Sequence, residues 1–575
     1  MDFNHLKKNL KKDTTGFQLI KVAVLCDFAS QFLTQALKGY GIESGINYEI
    51  FEADYNQVDR QVLDPTSELY EFAPQYVIIL RSSQNLLKKF YKTGLSERSH
   101  FAKEHAEHTV HLYNTILSKL DCRIIINTFH EMDDNVFGNF ASKIKSSFIY
   151  QLRTLNVSLM DLSQSSKQLF IVDFNSIITG VGLKDSFDAK MYINADMVFS
   201  LDVIPALAKN ITDIIQAIGG RFKKCLILDL DNTTWGGIIG DDGIEGIQVG
   251  DLGIGKAFTD LQLWAKELKN RGVIIAVCSK NTEEIAKEPF ENHPEMVLKL
   301  SDIAIFIANW ENKIDNIRHI QNVLNISFDS MVFLDDNPFE REMVKQAIPD
   351  ITVPPLPEDP AEYLPYLRSL NIFETASFTE EDIDRTEQYQ VESKRAILRQ
   401  SYENENVFLE RLQMKSEIKA FSQFSIPRVA QLSQRSNQFN LRTIRYTEEE
   451  LNNIALSQEY ITRSFTLEDV YGSYGLICFI ILQKRKEKIL FIDSWIMSCR
   501  VLKRGMEHFT LNTIVAIAKE LNYNKIIGEY IPTKKNGLVK DHYQKLGFTE
   551  KNNNQWELDI TSFSDNFKDV FIQSK

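Results

Sequence analysis

No apolar run in the 575 residues approaches the length needed to cross a bilayer. The lysine-rich start, residues 1–15, is followed by no signal-type apolar stretch. The expectation is a cytoplasmic protein without membrane insertion. Cysteine is scarce: Cys26, Cys122, Cys225, Cys278, Cys478 and Cys499 are scattered, without CxxC spacing or the density of a secreted scaffold. Reduced, mostly buried thiols are expected. Positive charge is also in deficit, 65 Lys and Arg against 78 Asp and Glu, a net charge of −13. Such a chain repels a phosphate backbone, so nucleic acid is not an expected partner. The ten histidines lack metal-type spacing, and His105, His108 and His111 fall in a charged helical stretch expected at the surface. Repeats and low-complexity segments are missing too. What remains is an ordinary globular composition, 43% hydrophobic and 25% charged.

A chain of this length exceeds what one core serves. In residues 1–220, apolar runs at 21–25, 76–80, 123–126 and 169–172 alternate with helical stretches, the pattern of an α/β domain with a largely parallel sheet. A second α/β domain is expected over 221–372; Pro354, Pro355, Pro357 and Pro360 rule out a continuing helix near its end. Residues 373–416 read as a charged helical connector, with Thr379 three positions before Asp382 as a capping pattern. Residues 417–575 carry strand patterns at 474–482, 488–496 and 525–530, a helix at 505–521 and a final helix ending at Leu546-Gly547-Phe548. That mixed order predicts an α+β domain.

The central segment carries the chemistry. Cys225–Leu228 is a short apolar run of the kind found in a strand buried on both faces, and it ends in Asp229-Leu230-Asp231-Asn232-Thr233. Residues 273–277 run into Cys278-Ser279-Lys280, residues 303–308 into Asn309-Trp310-Glu311-Asn312-Lys313, and residues 331–334 into Asp335-Asp336-Asn337. Chemistry in open parallel sheets sits at such strand ends. Asp229 and Asp335, with the main-chain carbonyl of Asp231, offer hard oxygen ligands suited to Mg²⁺, and Asp336 supports the ion. Asp229 is the expected nucleophile toward phosphorus and Asp231 the acid and base. Ser279 and Lys313 are expected to hold phosphoryl oxygens. A glycine-rich stretch at 236–243 with Asp242-Gly243 reads as a short hairpin flap. A site covered only by a flap favours a substrate on a long arm or on another protein.

Together these strand ends resemble the haloacid dehalogenase superfamily, whose four motifs match Asp229/Asp231/Thr233, Ser279, Lys313 and Asp335/Asp336; Thr233 thereby joins the phosphate-binding set. The words Thr234-Trp235-Gly236-Gly237, Cys278-Ser279-Lys280-Asn281, His293-Pro294-Glu295-Met296 and Asp335-Asp336-Asn337-Pro338-Phe339-Glu340 are similar to the FkbH-like subgroup. That resemblance implies a Rossmann-like parallel sheet with a minimal cap. It further implies a small phosphorylated metabolite as substrate. Family members take a glyceryl group from 1,3-bisphosphoglycerate and load it on an acyl carrier protein. A plain phosphatase and a non-catalytic carrier-binding scaffold are the other readings. For Cys278, a transient acyl thioester and a small buried hydrophobe stay open side by side.

The flanking segments also carry resemblances. Residues 497–507, with Arg500, Lys503, Arg504 and Gly505, and the later Asn536 and Tyr543, resemble GNAT-class acyltransferases. The resemblance implies acyl-CoA or phosphopantetheine binding there, although Lys503 stands where the usual motif has glycine. Arg435-Ser436-Asn437-Gln438-Phe439-Asn440 also follows the family wording, with no derived role. The first domain resembles the SGNH-hydrolase-like region of the subgroup, but Phe28 replaces the nucleophilic serine in Leu25-Cys26-Asp27-Phe28. Scaffolding or partner binding is expected of it.

Overall fold

The computed structural model describes residues 2–379, 382–383, 385–400, 405–502, 504–533, 535–552, 554–561, 563 and 571–575. They form two compact units, Met1–Gln216 and Ala217–Lys575.

In the first unit, strands β1 (Gln18–Cys26), β2 (Ile46–Glu52), β3 (Tyr76–Leu80), β4 (Arg123–Thr128) and β5 (Leu169–Asp173) make one parallel sheet in the order β2-β1-β3-β4-β5. Four of these coincide with the apolar runs. The edge strand β2 was not expected, because an edge strand half exposed to water alternates apolar and polar residues, as Ile-Asn-Tyr-Glu does here. Phe28 is buried and stacks edge-on against Phe199, so an aromatic plug stands after β1. His105 departs from the surface expectation: its ring lies 4.1 Å from that of Phe101, and burial pushes it down to about 4.

In the second unit, β6 (Cys225–Leu228), β7 (Ile274–Ser279), β8 (Ile303–Ala308) and β9 (Met331–Leu334) form a parallel sheet in the order β8-β7-β6-β9. Every residue of β6 is buried. Alternation sends Leu226 and Leu228 toward Phe258, Leu261 and Ala265 of the helix Gly255–Asn270. Cys225 and Ile227 face the other layer, with Ile317 and Ile320 of the helix Lys313–Leu324. Two helical layers covering a parallel sheet explain why its strands read as unbroken apolar runs.

The helices Arg385–Gln400 and Glu405–Arg411 lead to a second, mostly antiparallel sheet. Its strands are β10 (Met414–Ser416), β11 (Ile418–Lys419), β12 (Tyr460–Asp469), β13 (Gly472–Arg485), β14 (Ile489–Met497), β15 (Lys525–Glu529), β16 (Thr549–Asn552), β17 (Gln555–Asp559) and β18 (Ile572–Ser574). The order is β16-β17-β15-β14-β13-β12-β10-β18, with β11 paired to β12. The expected final helix is only His542–Lys545, and the chain then turns through Gly547 at φ +85° into three further strands. Among the described residues, no helix is long and apolar enough to cross a membrane.

Candidate active site

The four strand ends expected to carry chemistry lie along one edge of the β8-β7-β6-β9 sheet. Because the strands are parallel and in register, the residues after β6 and β9 come side by side: the amide of Asp229 donates to the carbonyl of Leu334 at 2.9 Å. Lys313, the first residue of its helix, places its ammonium 3.0 Å from Asp229 Oδ2 and 2.6 Å from Asp335 Oδ2. All three side chains are almost fully buried. The other oxygen of Asp335 accepts from the Asn337 amide at 2.9 Å. Thr233 is buried, and its hydroxyl accepts from the Asp336 amide at 2.9 Å, tying the first loop to the last. Ser279 closes β7 beside Asp229, where its hydroxyl helps keep that carboxyl ionised.

Asp231 is held apart from this triad. Its Oδ1 accepts from Trp235 Nε1 at 3.0 Å and from the Ile239 amide at 3.1 Å, and its Oδ2 accepts from Asn281 Nδ2 at 3.1 Å. Trp235 is wholly buried against Phe290, and its indole N–H is spent on Asp231. Sequence spacing assigned no role to Asn281 and left Trp235 open between lining the site and packing, since spacing does not reveal where an amide or indole N–H points. The 236–243 stretch is not a hairpin. Gly236 and Gln248 exchange two backbone hydrogen bonds of 2.9 and 2.8 Å that close the base of a loop, and Ile239–Gly246 within it is helical with a kink at Gly243. The glycines that suggested a hairpin turn serve instead this kink and the left-handed Gly237, φ +90°.

The electrostatics show an excess of negative charge. Burial raises Asp229 above the ordinary carboxylate range, against the pull of Lys313. Asp335 is pushed up to about 6 by burial and by Asp229. For Lys313, burial acts downward, yet the two carboxylates raise it well above the ordinary value. Asp231 and Asp336 are both raised, chiefly by burial. One ammonium therefore stands against three carboxylates, Asp229, Asp335 and Asp336, whose oxygens lie within 4.8 Å of one another. A compact all-oxygen donor set with unbalanced charge fits a hard divalent cation. The Asp231 carboxylate is not in that group; its oxygens are taken by N–H donors.

Two sets of expected residues end up elsewhere. Cys278 is fully buried in the apolar layer with Ile317 and Ile320, its sulfur 3.8 Å from the carbonyl of Lys313. Burial raises its thiol far above the ordinary value, outweighing the nearby ammonium. A thiolate that attacks an acyl group is incompatible with that position, and the thioester role is corrected to packing. In the last domain, Asn536 is buried and saturated: it donates to the carbonyls of Asn440 and Ile531 and accepts from the Thr533 amide and the Tyr530 hydroxyl. Tyr543 is 1% exposed within the core, its ring against the Cα side of Gly528. Arg500 and Arg504 are buried as well, Arg504 donating to the Tyr474 hydroxyl at 2.5 Å. Gly505, φ +82°, starts the helix Met506–Glu520. Lys503 lies outside the described residues. Asn536 and Tyr543, expected to touch an acyl-CoA or phosphopantetheine arm, are thus already used to hold the domain together.

Comparison with known proteins follows this geometry. Residues 21–216 match the family model for the FkbH N-terminal domain. No curated protein matches the chain. A crystal structure of the N-terminal part of a Bacteroides fragilis protein, containing a phosphatase domain complexed with Mg, is 52% identical; it covers 66% of this chain and 100% of that one, with a TM-score of 0.64. The ribosomal-protein-S18-alanine N-acetyltransferase of Escherichia coli is 14% identical over 26% of this chain and 97% of its own, TM-score 0.21. The spermidine/spermine N-acetyltransferase SpeG of Vibrio cholerae is 15% identical over 26% and 95%, TM-score 0.21. With half of its residues shared over the full length of the Bacteroides fragilis structure, and with its first domain matched by the family model, the chain belongs to the FkbH-like family.

Proposed function

We propose that this protein is a Mg²⁺-dependent phosphatase of the aspartate-nucleophile type. The observation that carries the reading is the buried ammonium of Lys313 bridging Asp229 and Asp335, with Asp231 held two residues beyond Asp229 by three N–H donors. Asp229, Asp335 and Asp336, with the main-chain carbonyl of Asp231, would hold the ion, which supplies charge neutralisation for an incoming phosphate. The relative from Bacteroides fragilis is described with Mg bound to a structure containing a phosphatase domain, which supports that choice of metal.

Asp229 attacks phosphorus through one carboxylate oxygen; the bond to the leaving oxygen breaks, and Asp231 delivers a proton to it. The resulting aspartyl-phosphate is then attacked by a nucleophile whose proton Asp231 takes back. Lys313, Ser279 and Thr233 position phosphoryl oxygens and keep Asp229 ionised until attack.

The substrate in this reading is a three-carbon acyl phosphate of the 1,3-bisphosphoglycerate type, and the glyceryl group passes to the pantetheine thiol of an acyl carrier protein. The short cover over the site, residues 236–248, supports a substrate on an extended arm. Buried Cys278 plays no covalent part, so the carrier thiol attacks the acyl carbon with inorganic phosphate as the leaving group. Asp229 takes the remaining 3-phosphoryl group, Asp231 protonating the released C3 oxygen, to leave the glyceryl thioester. Incubation with 1,3-bisphosphoglycerate and a pantetheinylated carrier, followed by intact-mass spectrometry, tests this. A glyceryl adduct on the carrier is expected. Phosphate release with an unmodified carrier would leave a plain phosphatase of a small metabolite, and neither product would leave a non-catalytic scaffold.

A further inference from the structure

We propose that the second unit carries an anion site, separate from the carboxylate centre, that takes the phosphate group of a small molecule. A cavity of about 80 Å³ is lined by Lys224, Arg385, Arg428, Arg435 and Arg500. It lies at the opposite end of the sheet from Asp229 and Asp335: Lys224 directly precedes β6, and Ser327, also in the lining, stands four residues before β9. The space accommodates a phosphate group or a few waters.

Charge points to the ligand. A buried cation is costly unless an opposite charge meets it. Arg500 is 7% exposed, yet among the described residues its guanidinium meets neutral acceptors: the Gln388 side-chain carbonyl, the Tyr474 carbonyl at 3.2 Å and the Ser498 hydroxyl at 3.3 Å. Arg435 and Arg385 share a single carboxylate, Asp382. The Nε of Arg435 is buried without a hydrogen-bond partner among the described residues. Among the described residues, these three guanidiniums meet one carboxylate. Burial, with Arg385 beside it, pushes Arg435 down to about 9. Guanidinium forks match phosphate oxygens in pairs, and the hydroxyl of Ser436 stands in the same lining as a further donor. The site unites Arg435-Ser436-Asn437-Gln438-Phe439 and Arg500, two sequence features for which the carboxylate centre has no use.

The test is isothermal titration of the full chain with inorganic phosphate in EDTA at constant ionic strength, where the metal-free carboxylate centre repels anions. One phosphate per chain is expected. Arg500→Gln and Arg428→Gln, each checked for wild-type circular dichroism, should weaken binding at least tenfold. Glycerol 3-phosphate in competition separates the sources: displacement identifies a phosphomonoester site, and its failure to compete restricts the site to free phosphate. Crystals soaked in tungstate should show the anion between Arg435 and Arg500. Absence of metal-free binding overturns the proposal. So does wild-type affinity in both folded variants, or tungstate found only beside Lys313.

Discussion

Asp231 accepts three N–H donors on two oxygens, and each favours its charged form while burial opposes it. Removing a donor raises the pKa of this carboxyl. Trp235→Phe keeps the ring and loses only the N–H, so the limb of the kcat/KM pH profile that reports Asp231 should move to higher pH. Asn281→Ala should do the same and lower kcat roughly tenfold, within the range of acid-base contributions. An unmoved profile in both would remove Asp231 from proton transfer. Lys313 sits between two buried carboxylates, and Lys313→Met leaves their repulsion uncompensated. Its cost in metal-free urea unfolding is expected at about 3–5 kcal/mol, the range for breaking a buried ion pair by removing one partner. Mg²⁺ should restore more stability to this variant than to the wild type. Equal restoration would mean that the cation does not bind these carboxylates.

At the scale of elements, the helix Gly255–Asn270 does more than cover the sheet. Gln262 is buried and donates to the Thr234 carbonyl at 2.8 Å, while its own carbonyl accepts from the amides of Val297 and Leu298 at 3.0 and 3.1 Å. It fastens the nucleophile loop to the segment before β8. Gln262→Ala strands two buried N–H groups and a carbonyl, so urea unfolding should show a loss of about 2–4 kcal/mol, with a matching fall in kcat as the loop loosens. The strands of the catalytic sheet were legible in the sequence because burial on both faces writes Cys-Leu-Ile-Leu or Met-Val-Phe-Leu as continuous apolar words. Their polar ends were legible for the same reason. Strands β16 and β17 were not, because Thr-Glu-Lys-Asn and Gln-Trp-Glu-Leu-Asp are mostly polar and their pairing is set by the neighbouring β15. The 236–248 cover was misread since glycine signals a backbone bend without saying whether a helix or a hairpin follows. Cys278 shows a further limit: its neighbour Ser279 faces the chemistry, and alternation alone puts the thiol in the opposite layer.

Across the whole molecule, acid should act unequally on the two units. In the first, burial holds His105 and His130 down at about 4. Below the unfolded pKa of about 6.5 the unfolded state takes protons that the folded state refuses, so stability present above that pH is lost as pH falls. The slope reaches about 1.4 kcal/mol per pH unit for each histidine. In the second unit, His542 is held down at about 3 and acts in the same sense. Asp335, raised to about 6 without metal, opposes it: its folded form binds a proton that its unfolded form releases. Metal-free hydrogen exchange at pH 7 and 5.5 should therefore show Met1–Gln216 losing protection more than Ala217–Lys575; equal loss would contradict the two opposed titrations.

The most direct measurement of the phosphoryl-transfer chemistry is rapid-quench peptide mapping after a single turnover with Mg²⁺ and a phosphorylated substrate. A phosphoryl adduct on the peptide containing Asp229 is expected in the wild type, with neither adduct nor turnover in Asp229→Asn. Continued turnover by a folded Asp229→Asn protein, or wild-type turnover with no adduct at any quench time, would contradict nucleophilic attack by Asp229.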